Sequence, residues 1–428
     1  MGLFAELSLS GKPVLVVGGG RQALRKAQRF AGEGACLTVV APSFIEGFEA
    51  VRAKMFSQKY ETALLDGMFL VVAATDDRAL NHRIILEANA RGLLTMSVHQ
   101  DSDAALHSMG NREFGGITAA VSTHGAYPAL DAALLERWEI CSRPLTDKLP
   151  VLKRLREQIV RSSLRTEERQ ELLKRLPAWE KETLGALALA VERGKLLIAV
   201  WHGTASEEAM RSRVFPFSRE IEAHYPPIPV CEAFLSEKMQ AKLSARGISI
   251  PLLGELLHLA DALGIAHILL QPILFAPGSY SRQVSAGVRE FFHLDVRIGE
   301  PLVSGKTDAQ ELFCCLRREF PWDGQRIFAC HGFGPEWQKL LCGALLPEET
   351  LLMVKEELPV LRRDLPVQVI PLFLLLGYHT GRDLFDGEDS VCVRLARNGY
   401  QVQKECTGLM ELACVRRLFL NKIGGMSF

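Results

Sequence analysis

Apolar runs of strand length alternate with amphipathic stretches along this chain, and several of the runs stop at a glycine. Residues 367–376 (VQVIPLFLLL) form such a run. It ends at Gly377, and Tyr378 and His379 follow at once. A membrane span needs about 20 apolar residues, so the run predicts a buried strand of an α/β sheet instead. His379 then stands at the carboxyl edge of that strand, where open α/β sheets bind ligands.

Nearer the start, Pro13–Val17 is β-rich, residues 23–34 have helical spacing, and residues 37–40 form a second strand closed by Ala41 and Pro42. Gly18, Gly19, Gly20, Arg21, Gln22 and Ala23 join the first strand to the helix. This is a G-x-G-x-x-A dinucleotide fingerprint. Gly18 makes the tight turn, and Gly20 lets a pyrophosphate reach backbone N–H groups at a helix N-terminus. The second strand lacks the Asp or Glu that would hold a ribose, so the rule does not choose NAD over NADP. Further strands are expected at residues 68–74, leading to Thr75, Asp76 and Asp77, at residues 93–98, and at Ile117–Val121, with a helix from Pro128. Such alternation implies a parallel sheet.

Residues 146–195 are rich in Leu, Arg, Lys and Glu at helical spacing and carry no chemical signal. Beyond them the pattern repeats. Residues 196–200 form a strand running into Trp201, His202 and Gly203, and residues 326–330 form one running into His331 and Gly332. Residues 267–275 and 367–376 are both strands built around a proline, and each is soon followed by a glycine. Two similar α/β lobes are expected, about 196–320 and 321–428, with a cleft gathering His202, His331 and His379. Glu356 follows a short apolar run between the last two. The spacings match no local zinc motif, so any metal site would be assembled from distant segments, and Cys330 reads as a buried small hydrophobe.

Composition changes this picture little. The chain has 428 residues, 48% of them apolar and 23% charged, with formal net charge zero. Several domains are expected, with no nucleic-acid or membrane-surface partner. The N-terminus lacks signal-peptide order. Ten scattered cysteines without a C-x-x-C pair predict free thiols and a cytoplasmic protein.

The blocks VVGGGRQALRKA, VVAPSF, VVAATDDRALN and AAVSTHGAYPALDAALLERWE resemble the N-terminal module of siroheme synthases, over about the first 195 residues. The resemblance implies a Rossmann-like, NAD-dependent precorrin-2 dehydrogenase domain over residues 1–145 that yields sirohydrochlorin. It implies NAD contacts at Arg21, Gln22, Pro42 and Ser43, in a cofactor site that also takes in Thr75 and Asp76. It also implies a helical dimerisation segment at 146–195, and so a homodimer. The family has a catalytic aspartate shortly after the fourth strand. A gap-free placement puts Gln100 there, so Asp101, or His99, is the candidate base.

The blocks LLIAVWHGT, ILLQPILFAPGSY, IFACHGF, KEELP and VIPLFLLLGYHTGRD resemble the anaerobic cobalt chelatases, from about residue 196 to the end. This implies a two-lobed class II chelatase fold, with His331 and His379 as metal-binding and catalytic histidines and Glu356 as the carboxylate between them. Two departures stand out. Trp201-His202 replaces the usual Ser-Phe, which places His202 among the candidate metal ligands, and Ser279 stands where an acidic residue is common. The expectation is a bifunctional enzyme that oxidises precorrin-2 and then inserts Fe²⁺ or Co²⁺ into sirohydrochlorin. A chelatase with an inactive dehydrogenase domain and a non-enzymatic tetrapyrrole or metal carrier are the rivals.

Overall fold

The computed structural model describes residues 4–99, 101–124, 126–291, 293–377 and 381–426. Two predicted positions, Gln100 and His379, lie outside the described residues, as does Tyr378. The chain divides into two compact units, Met1–Thr146 and Asp147–Phe428.

The first unit is built on strands β1 (Pro13–Val17), β2 (Cys36–Ala41), β3 (Lys54–Ser57), β4 (Leu70–Ala73) and β5 (Leu94–Ser97). They form a parallel sheet in the order β3-β2-β1-β4-β5, the Rossmann order with its reversal between β1 and β4. Residues of β1, β2 and β4 are buried on both faces, which is why they read as unbroken apolar runs. The helix Arg21–Gly32 lays Ala23, Ala27 and Phe30 on one face of the sheet, and the helix Arg78–Asn89 lays Ile84, Ile85 and Ala88 on the other.

One expectation changes here. Ile117–Val121 (β7) does not extend the parallel sheet. It pairs antiparallel with Gly110–Phe114 (β6) in a separate two-stranded hairpin. Gly115 and Gly116 make the connection at φ 55° and 75°, the left-handed pair that a two-residue hairpin requires. The helix Pro128–Thr146 packs on this hairpin and leaves Leu130, Trp138, Ile140 and Leu145 exposed.

The second unit holds two four-stranded parallel sheets. The first contains β8 (Lys195–Trp201), β9 (Val230–Phe234), β10 (His267–Ile273) and β11 (Asp295–Ile298). The second contains β12 (Gln325–Cys330), β13 (Glu349–Met353), β14 (Val367–Pro371) and β15 (Val402–Lys404). The spatial orders are β11-β10-β8-β9 and β13-β12-β14-β15. Numbered within each lobe, both orders read 2-1-3-4, so the repeat seen in the sequence is one topology used twice. The helices Leu149–Arg161 and Lys181–Arg193 bury Leu155, Ile159, Leu184 and Leu187 against the first of these sheets.

The run 367–376 is strand only as far as Pro371. Leu372 N–H still donates to Ala329 at 2.8 Å, and the Phe373 and Leu374 carbonyls then accept from Leu409 and Met410 at 2.8 and 3.0 Å. The main chain is thus satisfied off the sheet. The expectation of free thiols also changes, because Cys315 and Cys414 form a disulfide with Cα atoms 6.1 Å apart. It joins the helix Lys306–Glu319 to the helix Ala413–Gly424. The partners are 99 residues apart, a pairing that spacing alone does not reveal.

A carboxyl group sits in the core of the first lobe. Glu232, on β9, is 3% exposed. It accepts from Thr183 Oγ1 at 3.4 Å, and burial pushes its pKa from 4.5 up to about 7. A carboxyl raised on folding costs stability as pH rises, beginning at its unfolded value and complete above its folded one. Glu232→Gln is therefore expected to raise the unfolding free energy above about pH 8 by something of order 3 kcal/mol. The gain should vanish below about pH 4, as checked by urea unfolding at the two pH values.

Candidate functional site

In the first unit the strand ends enclose a cavity of about 530 Å³. Gly18, Gly19 and Gly20 line it after β1, Pro42 and Ser43 after β2, and Thr75 and Asp76 after β4. The glycines are needed for different reasons. Gly18 has φ +138°, and a Cβ there would lie 2.2 Å from Ala74 O. A Cβ on Gly19 would collide with Ser43 O. A Cβ on Gly20 would meet no protein atom within 4 Å, so that face of the loop is open to a ligand.

Gly20 is also the residue before the helix Arg21–Gly32, whose first turn has no side-chain cap and no acidic residue. The N–H groups of Arg21, Gln22 and Ala23 are left for an anion. These features fit a dinucleotide pyrophosphate. Arg21 and Gln22 are exposed and Ala23 is buried. None of the three lines the cavity, so what they offer a ligand there is backbone N–H. Thr75 is fixed by Asn81, whose side chain accepts from Thr75 N at 3.0 Å and donates to Thr75 O at 2.8 Å.

Lys59, Tyr60 and Arg83 also line the cavity, and sequence reading missed them. Lys59 and Tyr60 follow β3, an exposed strand with no apolar periodicity. Burial and the neighbouring Glu87 carboxylate, 2.8 Å away, raise the Tyr60 hydroxyl pKa.

Asp101, the candidate base, follows β5. Its Oδ2 lies 3.1 Å from His82 Nδ1, and its Oδ1 accepts from Asp103 N–H at 3.0 Å. His99, the alternative, has a buried Nε2 without a hydrogen-bond partner among the described residues.

In the second unit His202 follows β8 and His331 follows β12, the first strand of each lobe. Each therefore flanks the gap between first and third strands where a 2-1-3-4 sheet reverses its order. Side chains from the far side of each gap meet them. The His202 ring lies 4.2 Å from Tyr280, beyond β10, and the His331 ring 4.7 Å from Phe373, beyond β14. Phe275, after β10, stacks on Phe333, after β12, at 5.0 Å. The carboxyl edges of the two lobes thus face each other.

Burial lowers the His202 pKa, and its Nδ1 has no hydrogen-bond partner among the described residues. Gly203 is required beside it. At φ +120°, a Cβ there would stand 2.9 Å from Met239 Cβ.

Glu356 stands just beyond β13, the neighbour of β12. Arg394 grips that turn, donating to Glu356 O at 2.7 Å and Val354 O at 3.0 Å. Val354 N–H donates to Cys330 O at 2.9 Å, which ties this turn to the strand end bearing His331, and burial, then the Glu356 charge, push the Cys330 thiol up to about 12. A thiol held protonated this way is a poor metal ligand. Among the described residues, His202, His331 and Glu356 do not form a group of three donor atoms within 4.8 Å of one another.

A family model described as "Putative NAD(P)-binding" matches residues 6–107. The first part of the chain is similar to the siroheme synthase of Photorhabdus laumondii. Identity is 30% over 199 residues, covering 45% of this chain and 41% of that relative. Matched regions thus span about two fifths of that relative's length. Among solved structures, the chain is similar to the precorrin-2 dehydrogenase SirC, with 29% identity, TM-score 0.35, and 41% of this chain and 88% of that one covered. It is also similar to the sirohydrochlorin chelatase SirB of Bacillus subtilis subspecies spizizenii in complex with cobalt. There identity is 12% and the TM-score 0.39, over 54% of this chain and 94% of that one.

The glycine geometry separates folding from binding. Gly20→Ala is expected to fold like the wild type while weakening NAD⁺ binding by about tenfold or more, some 1.4 kcal/mol. Gly19→Ala is expected to lower the melting temperature as well. Calorimetric titration with NAD⁺ and a thermal melt of each variant check both outcomes.

Proposed function

We propose that this chain carries out two consecutive steps on one tetrapyrrole. The N-terminal unit oxidises precorrin-2 to sirohydrochlorin with NAD⁺, and the C-terminal unit inserts a divalent metal ion into the product. The observation that carries the first step is the open glycine turn at an uncapped helix start, within a region 30% identical to a siroheme synthase. The second rests on a repeated sheet topology that brings a histidine to the reversal point of each lobe.

The bound nicotinamide would supply the hydride acceptor. The protein's own part is to hold the dinucleotide and to take up a proton. Gly18, Gly19 and Gly20 bring the backbone close to the pyrophosphate, Pro42 and Ser43 flank the adenosine side, and Thr75 and Asp76 flank the other. The candidate proton-handling group is the loop carboxylate Asp101.

In the C-terminal unit, His331, Glu356 and His379 would hold the incoming metal ion, with His202 facing it from the other lobe. Neutral imidazole binds Fe²⁺ or Co²⁺ and also accepts the pyrrole protons that must leave as the metal enters. Phe275, Tyr280 and Phe373 offer flat apolar faces to a macrocycle, and Tyr378 would join them. Fe²⁺ is favoured because the companion step belongs to siroheme formation, with Co²⁺ toward cobalamin next. Leu130, Trp138, Ile140 and Leu145, exposed on one helix, support association of two copies through the N-terminal unit.

A second reading has its own motive. Gln100 stands where the resembled dehydrogenases have their aspartate, so a chelatase with a silent first domain is the alternative. Purified protein given precorrin-2 and NAD⁺ is expected to form NADH; none would favour that alternative. With sirohydrochlorin and Fe²⁺ or Co²⁺, absorption spectra should report metal insertion. His331→Ala and His379→Ala should each slow insertion at least about 100-fold. Undiminished insertion in both variants would overturn the chelatase assignment.

A further inference from the structure

The contacts around Asp101 point to a different division of labour from a lone carboxylate base. Both of its oxygens are engaged, Oδ2 with His82 Nδ1 at 3.1 Å and Oδ1 with Asp103 N–H at 3.0 Å. Its side chain is only 11% exposed, whereas that of His82 is 50% exposed. A carboxylate can only accept, so Nδ1 must carry the hydrogen of that bond. The lone pair of His82 then lies on Nε2, which has no hydrogen-bond partner among the described residues. Asp103 Oδ2, 3.9 Å from Nδ1, adds a second negative charge behind the ring. A carboxylate holding one ring nitrogen so that the other is basic is the arrangement by which histidine acts as a general base.

His82 is also well placed along the chain. The helix Arg78–Asn89 begins just after Thr75 and Asp76, and two of its residues, Leu80 and Arg83, line the dinucleotide cavity. His82 lies on the flank of this helix toward the segment after β5. In a sheet of this order the adenosine half of a dinucleotide lies over β2, so the nicotinamide half extends to the β4–β5 side. Neither His82 nor Asp101 lines the cavity, but the pair joins the helix after β4 to the segment after β5 and so lies on that side of the sheet.

We propose that His82, and not Asp101, accepts the proton in the dehydrogenation, with Asp101 as the residue that positions the ring. The proposal rests on the dehydrogenase reading. A C–H bond of the reduced macrocycle breaks, and its hydrogen leaves with both electrons to C4 of the nicotinamide ring of NAD⁺. An N–H proton of the macrocycle passes to His82 Nε2 and on to water. The electron pair left behind closes the new C=N double bond, so NAD⁺ becomes NADH and one proton is released.

The test uses the full chain. His82→Ala is expected to lower kcat for NADH formation about 100-fold with the KM for NAD⁺ changed less than about twofold, and added imidazole should restore at least about a tenth of the lost rate. Asp101→Asn should lower kcat without rescue by imidazole, because its imidazole is still present but badly held. With ¹⁵N-histidine label and neither NAD⁺ nor macrocycle present, the hydrogen-bonded Nδ1 proton of His82 should give a protected NMR resonance that Asp101→Ala abolishes. Turnover by the wild type with an undiminished His82→Ala, or a loss that imidazole does not restore, would overturn the role of His82 alone. No NADH from the wild type would overturn the dehydrogenase reading together with it.

Discussion

The three large sheets among the described residues are parallel, and a parallel sheet delivers every strand's carboxyl end to one edge. Where the strand order reverses, the connecting segments diverge to opposite faces and leave a gap at that edge. In the first sheet the gap falls between β1 and β4, in the lobes between β8 and β10 and between β12 and β14. The chemically distinctive side chains and turns follow the strands that flank or adjoin these gaps. The glycine turn follows β1 and Thr75 follows β4; His202 and His331 follow β8 and β12. This constraint decides what each strand must look like. The central strands are covered on both faces and so are mostly apolar, with Gln271 in β10 and Gln368 in β14 as buried polar exceptions.

The two lobes share a topology but differ in how their corners are packed. At the end of β13 the second lobe carries Glu356 in a turn held by Arg394. At the corresponding end of β9 the first lobe also carries a carboxylate, Glu237, just after Ser236, which caps the following helix by accepting from Met239 N–H at 3.3 Å. A Cβ on Gly203 would meet Met239, whereas one on Gly332 would meet only the flexible Met353 sulfur, at 3.5 Å. The first lobe thus closes its corner with packing, and the second leaves its corner open beside a carboxylate. The first lobe contributes aromatic rings and one histidine of lowered basicity.

Much of this was legible in the residues. Central strands announce themselves as apolar runs, and the glycine turn and the two strand-His-Gly corners were visible because each is local. What escaped was mostly exposed or assembled from afar, apart from the buried edge strand β9, whose short apolar run Glu232 interrupts. Strands β3, β11 and β15 lie at sheet edges and are largely exposed, so they lack the apolar signature of the centre. Strand β6 reads Gly-Asn-Arg-Glu-Phe, which masks the hairpin. Lys59, Arg83 and His82 gain their places only once β3 and the helix after β4 are folded beside the glycine turn. The Cys315–Cys414 pairing depends on helix packing across 99 residues.

The account stands or falls on whether the second lobe holds a divalent ion through nitrogen and oxygen at the β12–β14 edge. X-ray absorption of the full chain loaded with Co²⁺ tests this directly. The expected spectrum has a first shell of light atoms with imidazole scattering, and that scattering weakens in His331→Ala, where His379 remains. A sulfur-dominated shell, or imidazole scattering unchanged in that variant, would contradict it.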